Sequence, residues 1–194
     1  MKIELWYSEK INPQIREPWE KYFADVPNVK IMNGDICKAE VDAIVSPANS
    51  FGFMTGGLDL YLSIRFGPQV SRRIQRILKE ELERELFIGE AITVPTDDAT
   101  CPNIICAPTM IVPMDISKTI NVFLSTRGAI LEANGQDFQS IAIPAMGLGV
   151  GRVPPLVCAK QMREAYNATE EVWDFPTALK GASEFYYQLF EIVK

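Results

Sequence analysis

Two glycine-bearing segments carry the side chains with chemical potential. Residues 33–59 read NGDICKAEVDAIVSPANSFGFMTGGLD, and residues 144–151 read PAMGLGVG. In the first, Asp35 follows an Asn-Gly step, Asn49 follows a short apolar run, and Asp59 comes just after the Gly56-Gly57 pair. A carboxylate at Asp35 can cap a turn, or accept from an exocyclic amine such as that of adenine. The Asn49 amide can close an Asx turn, or meet a ribose hydroxyl as both donor and acceptor. Asp59 suits the first turn of a helix by its charge; beside a bound sugar it can act as a base or orient water. Glycines let backbone amides approach a phosphate without any lysine. Together the two segments predict one cleft that grips a sugar phosphate from both sides.

The composition removes several chemistries. The 194 residues include no histidine, so no Ser-His-Asp or Cys-His arrangement and no imidazole base can form. Catalysis would rest on Asp, Glu, Lys, Tyr, Cys or an activated water. Cys37, Cys101, Cys106 and Cys158 form no CxxC pair; they read as reduced and mostly buried, and no metal or cofactor is expected. The net charge of -6 argues against duplex nucleic acid as a partner, though not against a small anion held by amides. No apolar run is long enough to span a bilayer, and residues 1–10, MKIELWYSEK, lack a signal-peptide core. A cytoplasmic protein with no membrane partner is the expectation.

Strands alternate with helices along the chain. Strands are predicted at 2–7, 29–32, 43–46, 90–94, 104–107 and 140–143. Helices are predicted at 17–24 (opened by Pro18), 58–66, 69–86, 116–134 and 155–168, with an aromatic helical tail from about residue 177. The run at 43–46 is continuously apolar, as in a strand covered on both faces. This alternation predicts an α/β sandwich with a mixed, largely parallel sheet. Right-handed crossovers would then bring Asp35, the 49–59 loop and the 147–151 loop to one edge. The Gly147-Leu148-Gly149-Val150-Gly151 stretch is a poor dinucleotide fingerprint, because Arg152-Val153-Pro154-Pro155 follows it where a helix should begin. The tail aromatics Trp173, Phe175, Phe185, Tyr186, Tyr187 and Phe190 read as core packing.

Five ordered motifs resemble a macrodomain, the ADP-ribose-binding α/β/α module. They are Gly34-Asp35-Ile36, Val41 to Asn49 (VDAIVSPAN), Thr55 to Asp59 (TGGLD), Gly89-Glu90-Ala91 and Pro144 to Gly149 (PAMGLG). The resemblance covers about 29–168 and implies a single macrodomain-like domain over 1–194, built as a three-layer α/β/α sandwich. A strand and helix would precede the family-like region, and an aromatic helical extension would follow it. The resemblance further implies that Asp35 binds the adenine amine and that the Ile36 amide supports the base. Asn49 would reach the distal ribose. Gly56 and Gly57 would line the diphosphate and distal-ribose side. Gly147, Leu148, Gly149, Val150 and Gly151 would wrap the diphosphate. Asp59 corresponds to the aspartate of members that remove ADP-ribose from proteins.

The chain also departs from the family pattern. Ser46 stands at the first asparagine of the N-A-A-N motif, the strand end at 106–110 reads CAPTM without its usual histidine, and Gly151 replaces a common aromatic. Phe51, Phe53 and Met54 rebuild the first loop, with Phe51 or Phe53 as candidates for an apolar wall. No lysine lies between Lys38 and Lys79, which argues against a lysine-based mechanism. Two functions follow as expectations: an enzyme hydrolysing an ADP-ribose derivative, either a mono-ADP-ribosyl adduct on a protein or the 1''-phosphate, through Asn49 and Asp59; or a non-catalytic ADP-ribose reader.

Overall fold

The computed structural model of the chain describes residues 1–170 and 179–191. In order these form β1 (Lys2–Tyr7), α1 (Arg16–Phe23), β2 (Val29–Asn33), β3 (Ala43–Ser46), α2 (Gly57–Phe66), α3 (Gln69–Arg76), β4 (Ile92–Pro95), β5 (Asn103–Cys106), α4 (Asn121–Gly135), β6 (Ser140–Pro144), α5 (Pro155–Glu170) and α6 (Leu179–Glu191). The strands make one sheet in the order β2-β1-β6-β3-β5-β4. All neighbours run parallel except β4, which pairs antiparallel with β5 at the edge.

All four residues of β3 are buried, as its unbroken apolar pattern predicts. Alternate side chains serve opposite faces. Ile3, Leu5, Val45, Ile105, Ile141 and Ile143 join the core beneath α1, α4 and α5. Ile44, Ile104, Cys106 and Ala142 point the other way, toward Leu62 and Phe66 of α2 and Val70 and Ile74 of α3. The result is the three-layer α/β/α sandwich expected from the sequence. Among the described residues no helix is long and apolar enough to cross a membrane.

Three helix boundaries differ from expectation. A 3-10 turn at Pro13–Ile15 leads into α1, so the helix begins at Arg16 and Pro18 lies inside its first turn. The predicted 69–86 helix stops early. A π turn at Ile77–Glu81 follows α3, with the Leu82 amide donating to the Ile77 carbonyl, and Glu83 then takes φ 54°. The helical period carries Val70, Ile74 and Leu78 inward, but Leu86 is buried by a different route: its amide donates to the Ser50 carbonyl at 2.9 Å. α4 begins at Asn121 instead of 116; residues 116–119 form a tight turn in which the Ile116 carbonyl accepts from the Thr119 amide and hydroxyl, while the Ile116 amide donates to the Gly151 carbonyl. In the tail, Phe185 packs edge-on against Phe123, whereas Tyr186 and Tyr187 are exposed. Trp173 and Phe175 lie outside the described residues.

One side chain welds the central strands in register at their N-terminal ends. Asp42 Oδ2 accepts from the amides of Gln139 and Ser140, both at 2.8 Å, and from the Ser140 hydroxyl at 3.2 Å. Removing a charged acceptor strands these donors. Asp42→Ala is therefore expected to lower unfolding free energy by about 2 kcal/mol in urea titrations; an unchanged midpoint would show that the weld contributes nothing.

Candidate functional site

Because β1, β2, β3, β5 and β6 run parallel, the segments that follow them emerge at one edge of the sheet. The Gly34-Asp35 turn leaves β2, the 145–151 loop leaves β6 and the 47–57 loop leaves β3. Three strand spacings separate β2 from β3, about 14 Å. That geometry suits an elongated ligand laid across the strand ends, and such an edge is where open α/β sheets place ligands.

At the β2 end, Asp35 is exposed and its Oδ1 accepts from the Cys37 amide at 3.0 Å, capping the short turn Ile36–Lys38. Ile36 is buried beneath that turn. Arg65 of α2 donates to the Cys37 carbonyl and, at 2.9 Å, to the Thr100 hydroxyl, tying the turn to the neighbouring helix. The turn is also fastened to β1: the Gly34 amide donates to the Tyr7 carbonyl at 2.8 Å. Gly34 takes φ 153°, and a Cβ there would lie 3.2 Å from Trp6 Cζ3.

At the β3 end, the Asn49 amide is engaged within its own loop. Its Oδ1 accepts from the Phe51 and Phe53 amides at 3.2 and 3.3 Å, and its Nδ2 donates to the Phe53 carbonyl at 2.8 Å. This is the Asx-turn role. The Ser50 amide donates to the Met110 and Ile111 carbonyls, both at 3.1 Å, so the loop is held to the segment after β5. Phe51 and Phe53 face solvent.

Gly56 and Gly57 are exposed at the start of α2, which has no side-chain cap. Gly57 has φ 57°, a conformation that costs little only without a Cβ. Two residues on, Asp59 turns inward. It is 7% exposed, and its Oδ1 accepts from Ser46 Oγ at 2.6 Å. Burial pushes its carboxyl up to about 6, with the Ser46 hydrogen bond acting in the opposite direction. Cys106 of β5 is fully buried nearby; its thiol is raised first by burial and then by the Asp59 charge.

The β6 loop presents backbone. Gly147 (φ 74°) and Gly151 are buried, while Gly149 and Val150 are exposed at the tip. A Cβ on Gly151 would lie 2.5 Å from the Gly147 carbonyl oxygen and 2.8 Å from Ile116 Cγ1, so only glycine closes the loop. The Gly147, Gly149 and Gly151 carbonyls accept from Val153, Arg152 and Ile116. Among the described residues, the amides of Leu148, Gly149, Val150 and Gly151 meet no backbone acceptor. A run of unpaired amides on a tight loop is an anion cradle. Arg152 is exposed beside Asp115.

The nominated residues thus gather at one edge, divided between exposed groups (Asp35, Gly56, Gly57, Gly149, Val150) and Asp59, which is turned into the interior. A surface recess of about 420 Å³ lies elsewhere, between Leu82, Arg84, Leu86 and Glu90 on one side and Leu131 of α4 on the other; none of the nominated residues lines it. Sequence reasoning missed Ser46 as the partner of Asp59, Arg65 as the clamp and Trp6 as a neighbour of the Gly34-Asp35 turn. Only Ser46 had left a signal, as a polar residue ending an otherwise apolar strand.

The sequence profile of the Macro domain family matches residues 45–162. A protein of Aquifex aeolicus is 35% identical over 143 residues, which span 71% of this chain and 79% of that protein. Among solved structures, the macrodomain of Mycobacterium tuberculosis DarG superposes with a TM-score of 0.61 at 24% identity, covering 72% of this chain and 90% of that one. A mutant of the Oceanobacillus iheyensis macrodomain, solved with ADPR, gives a TM-score of 0.60 at 23% identity, covering 71% and 76%.

The raised Asp59 carboxyl makes stability depend on pH. Asp59 ionises near 3.8 when unfolded and about 6 when folded, so its contribution is fully present below about pH 4 and is lost as pH rises through 6. Asp59→Asn cannot ionise. Relative to the wild type it should gain up to about 3 kcal/mol between pH 4 and pH 7 in urea unfolding. A pH-independent difference would contradict a buried, titrating Asp59.

Proposed function

The chain belongs to the Macro domain family, and from that premise we propose that it binds ADP-ribose across the C-terminal edge of its sheet. The observation that carries this reading is the spacing of complementary groups along that edge. An exposed carboxylate stands at Asp35, unpaired amides line 148–151, and the uncapped, glycine-started α2 lies beyond them. Adenine is held at the Asp35 end, where the carboxylate accepts from the exocyclic amine beside the Ile36 amide. The diphosphate sits on the amides of Gly147, Leu148, Gly149, Val150 and Gly151, and the distal ribose reaches Gly56 and Gly57. The Oceanobacillus iheyensis relative solved with ADPR supports the ligand class.

Of the two activities open to such a site, a non-catalytic reader is favoured. Asp59 is buried against Ser46, and the Asn49 amide is occupied by the Phe51–Phe53 backbone. Both side chains are thus engaged in structural hydrogen bonds, and Asp59 is largely withdrawn from the surface where the sugar would lie. Hydrolysis of a mono-ADP-ribosyl adduct on a protein, or of the 1''-phosphate, would need Asp59 to reach a water beside the sugar from its buried position against Ser46. What keeps that second reading in play is Asp59 itself, a carboxyl that titrates at about 6 just after the glycine pair.

Calorimetry with ADP-ribose tests the shared claim, and no heat at millimolar ligand would sink it. Asp35→Ala should weaken binding by ~1.5–3 kcal/mol, the worth of a charge-assisted hydrogen bond; equal affinity would refute the adenine assignment. Mono-ADP-ribosylated protein incubated with wild type and with Asp59→Ala separates the activities. Release at one common background rate is expected of a reader, and release that depends on Asp59 would establish the hydrolase.

A further inference from the structure

The strand order places an aromatic residue where the family motifs have none. β1 lies between β2, which carries Asp35, and β6, which carries the amide loop. Near its C-terminal end is Trp6, in register with Met32 of β2 and Pro144 of β6. Side chains in register on adjacent strands share a face. Met32, Trp6 and Pro144 therefore form an apolar strip at the strand ends, running from the Asp35 turn toward the 145–151 loop. Trp6 is half-buried. Its Nε1 donates down the strand to Glu4 at 3.0 Å, which orients the ring, and its benzenoid edge reaches up to Gly34. A residue larger than glycine at 34 would cover that edge. The turn bearing Asp35 thus passes the ring without a side chain at 34, and the ring, packed on one side against the core beneath α2 and α3, stays partly exposed.

We infer that Trp6 is the surface on which the purine lies when Asp35 takes its exocyclic amine. This rests on the ADP-ribose reading and adds a recognition residue to it. A planar base satisfied along its edge by a carboxylate still needs an apolar contact for its face, and an indole supplies one. The path from Trp6 across Pro144 to the glycine loop is also the direction from base to phosphates.

The test pairs calorimetry with tryptophan fluorescence on the full chain, using ADP-ribose and, as a ligand without a base, ribose 5-phosphate. Of the three tryptophans, Trp19 is fully buried in the opposite face, and Trp6→Phe isolates the Trp6 signal by subtraction. The subtracted signal should change saturably with ADP-ribose, at the calorimetric Kd, and stay flat with ribose 5-phosphate. Trp6→Leu should weaken ADP-ribose about tenfold or more, as loss of a base–aromatic stack does, while Trp6→Phe retains most of the affinity and the wild-type melting transition. Calorimetric binding with a flat Trp6 signal, or with wild-type affinity in Trp6→Leu, overturns this contact and leaves the ADP-ribose reading standing. No ADP-ribose binding by the folded wild type overturns both.

Discussion

Parallel pairing inside a sheet covered on both faces is the constraint on which the rest of the structure depends. A strand buried on both sides must satisfy every backbone group through its neighbours. Parallel neighbours end together, so the chain has to leave the sheet repeatedly at one edge. The loops there are spared the packing demands of the layers and are free to carry exposed glycine and unpaired amides. Asp42 ties the starts of β3 and β6 together at the opposite edge.

The loops are nevertheless held to one another. Asn49 closes the first loop on itself, Ser50 bonds it to the segment after β5, and Ile116 bonds that segment to Gly151. Arg65 binds α2 to the turn beyond Asp35. A ligand spanning the edge would meet a surface whose parts are already positioned relative to one another, which reduces the ordering cost of binding. The same interlocking turns the two candidate catalytic side chains toward structural partners.

Much of this was legible in sequence where the signal is local. The apolar run of β3, the Gly67-Pro68 stop after α2 and the glycine pair before Asp59 each follow from backbone chemistry within a few residues. What could not be read was non-local. Nothing near Gln69 announces that the helical hydrogen bonds will widen to a π turn at Ile77, since the residues that follow are good helix formers, nor that the Leu86 amide will bond the distant Ser50 carbonyl. That the segments after β2, β3 and β6 leave one edge of the sheet was legible. The inward turn of Asp59 was not, because its partner Ser46 sits on a strand that the alternation rule alone leaves ambiguous. The place of β1 in the sheet was likewise invisible, since strand order is not written in any one strand.

That place also bears on how the protein comes into being. β1 is synthesised before the other described strands, yet in the finished sheet it is an interior strand flanked by β2 and by β6, which begins only at Ser140. Until β6 has been made, one side of β1 has open backbone groups, and its apolar residues lack the α4 and α5 surfaces that cover them. Long-range parallel pairing of this kind folds slowly, because the loop must close before the contacts can compensate for it. During synthesis β1 therefore waits with one edge open, an edge that only the later β6 can cover. The early residues would thus be a point of vulnerability to aggregation during synthesis.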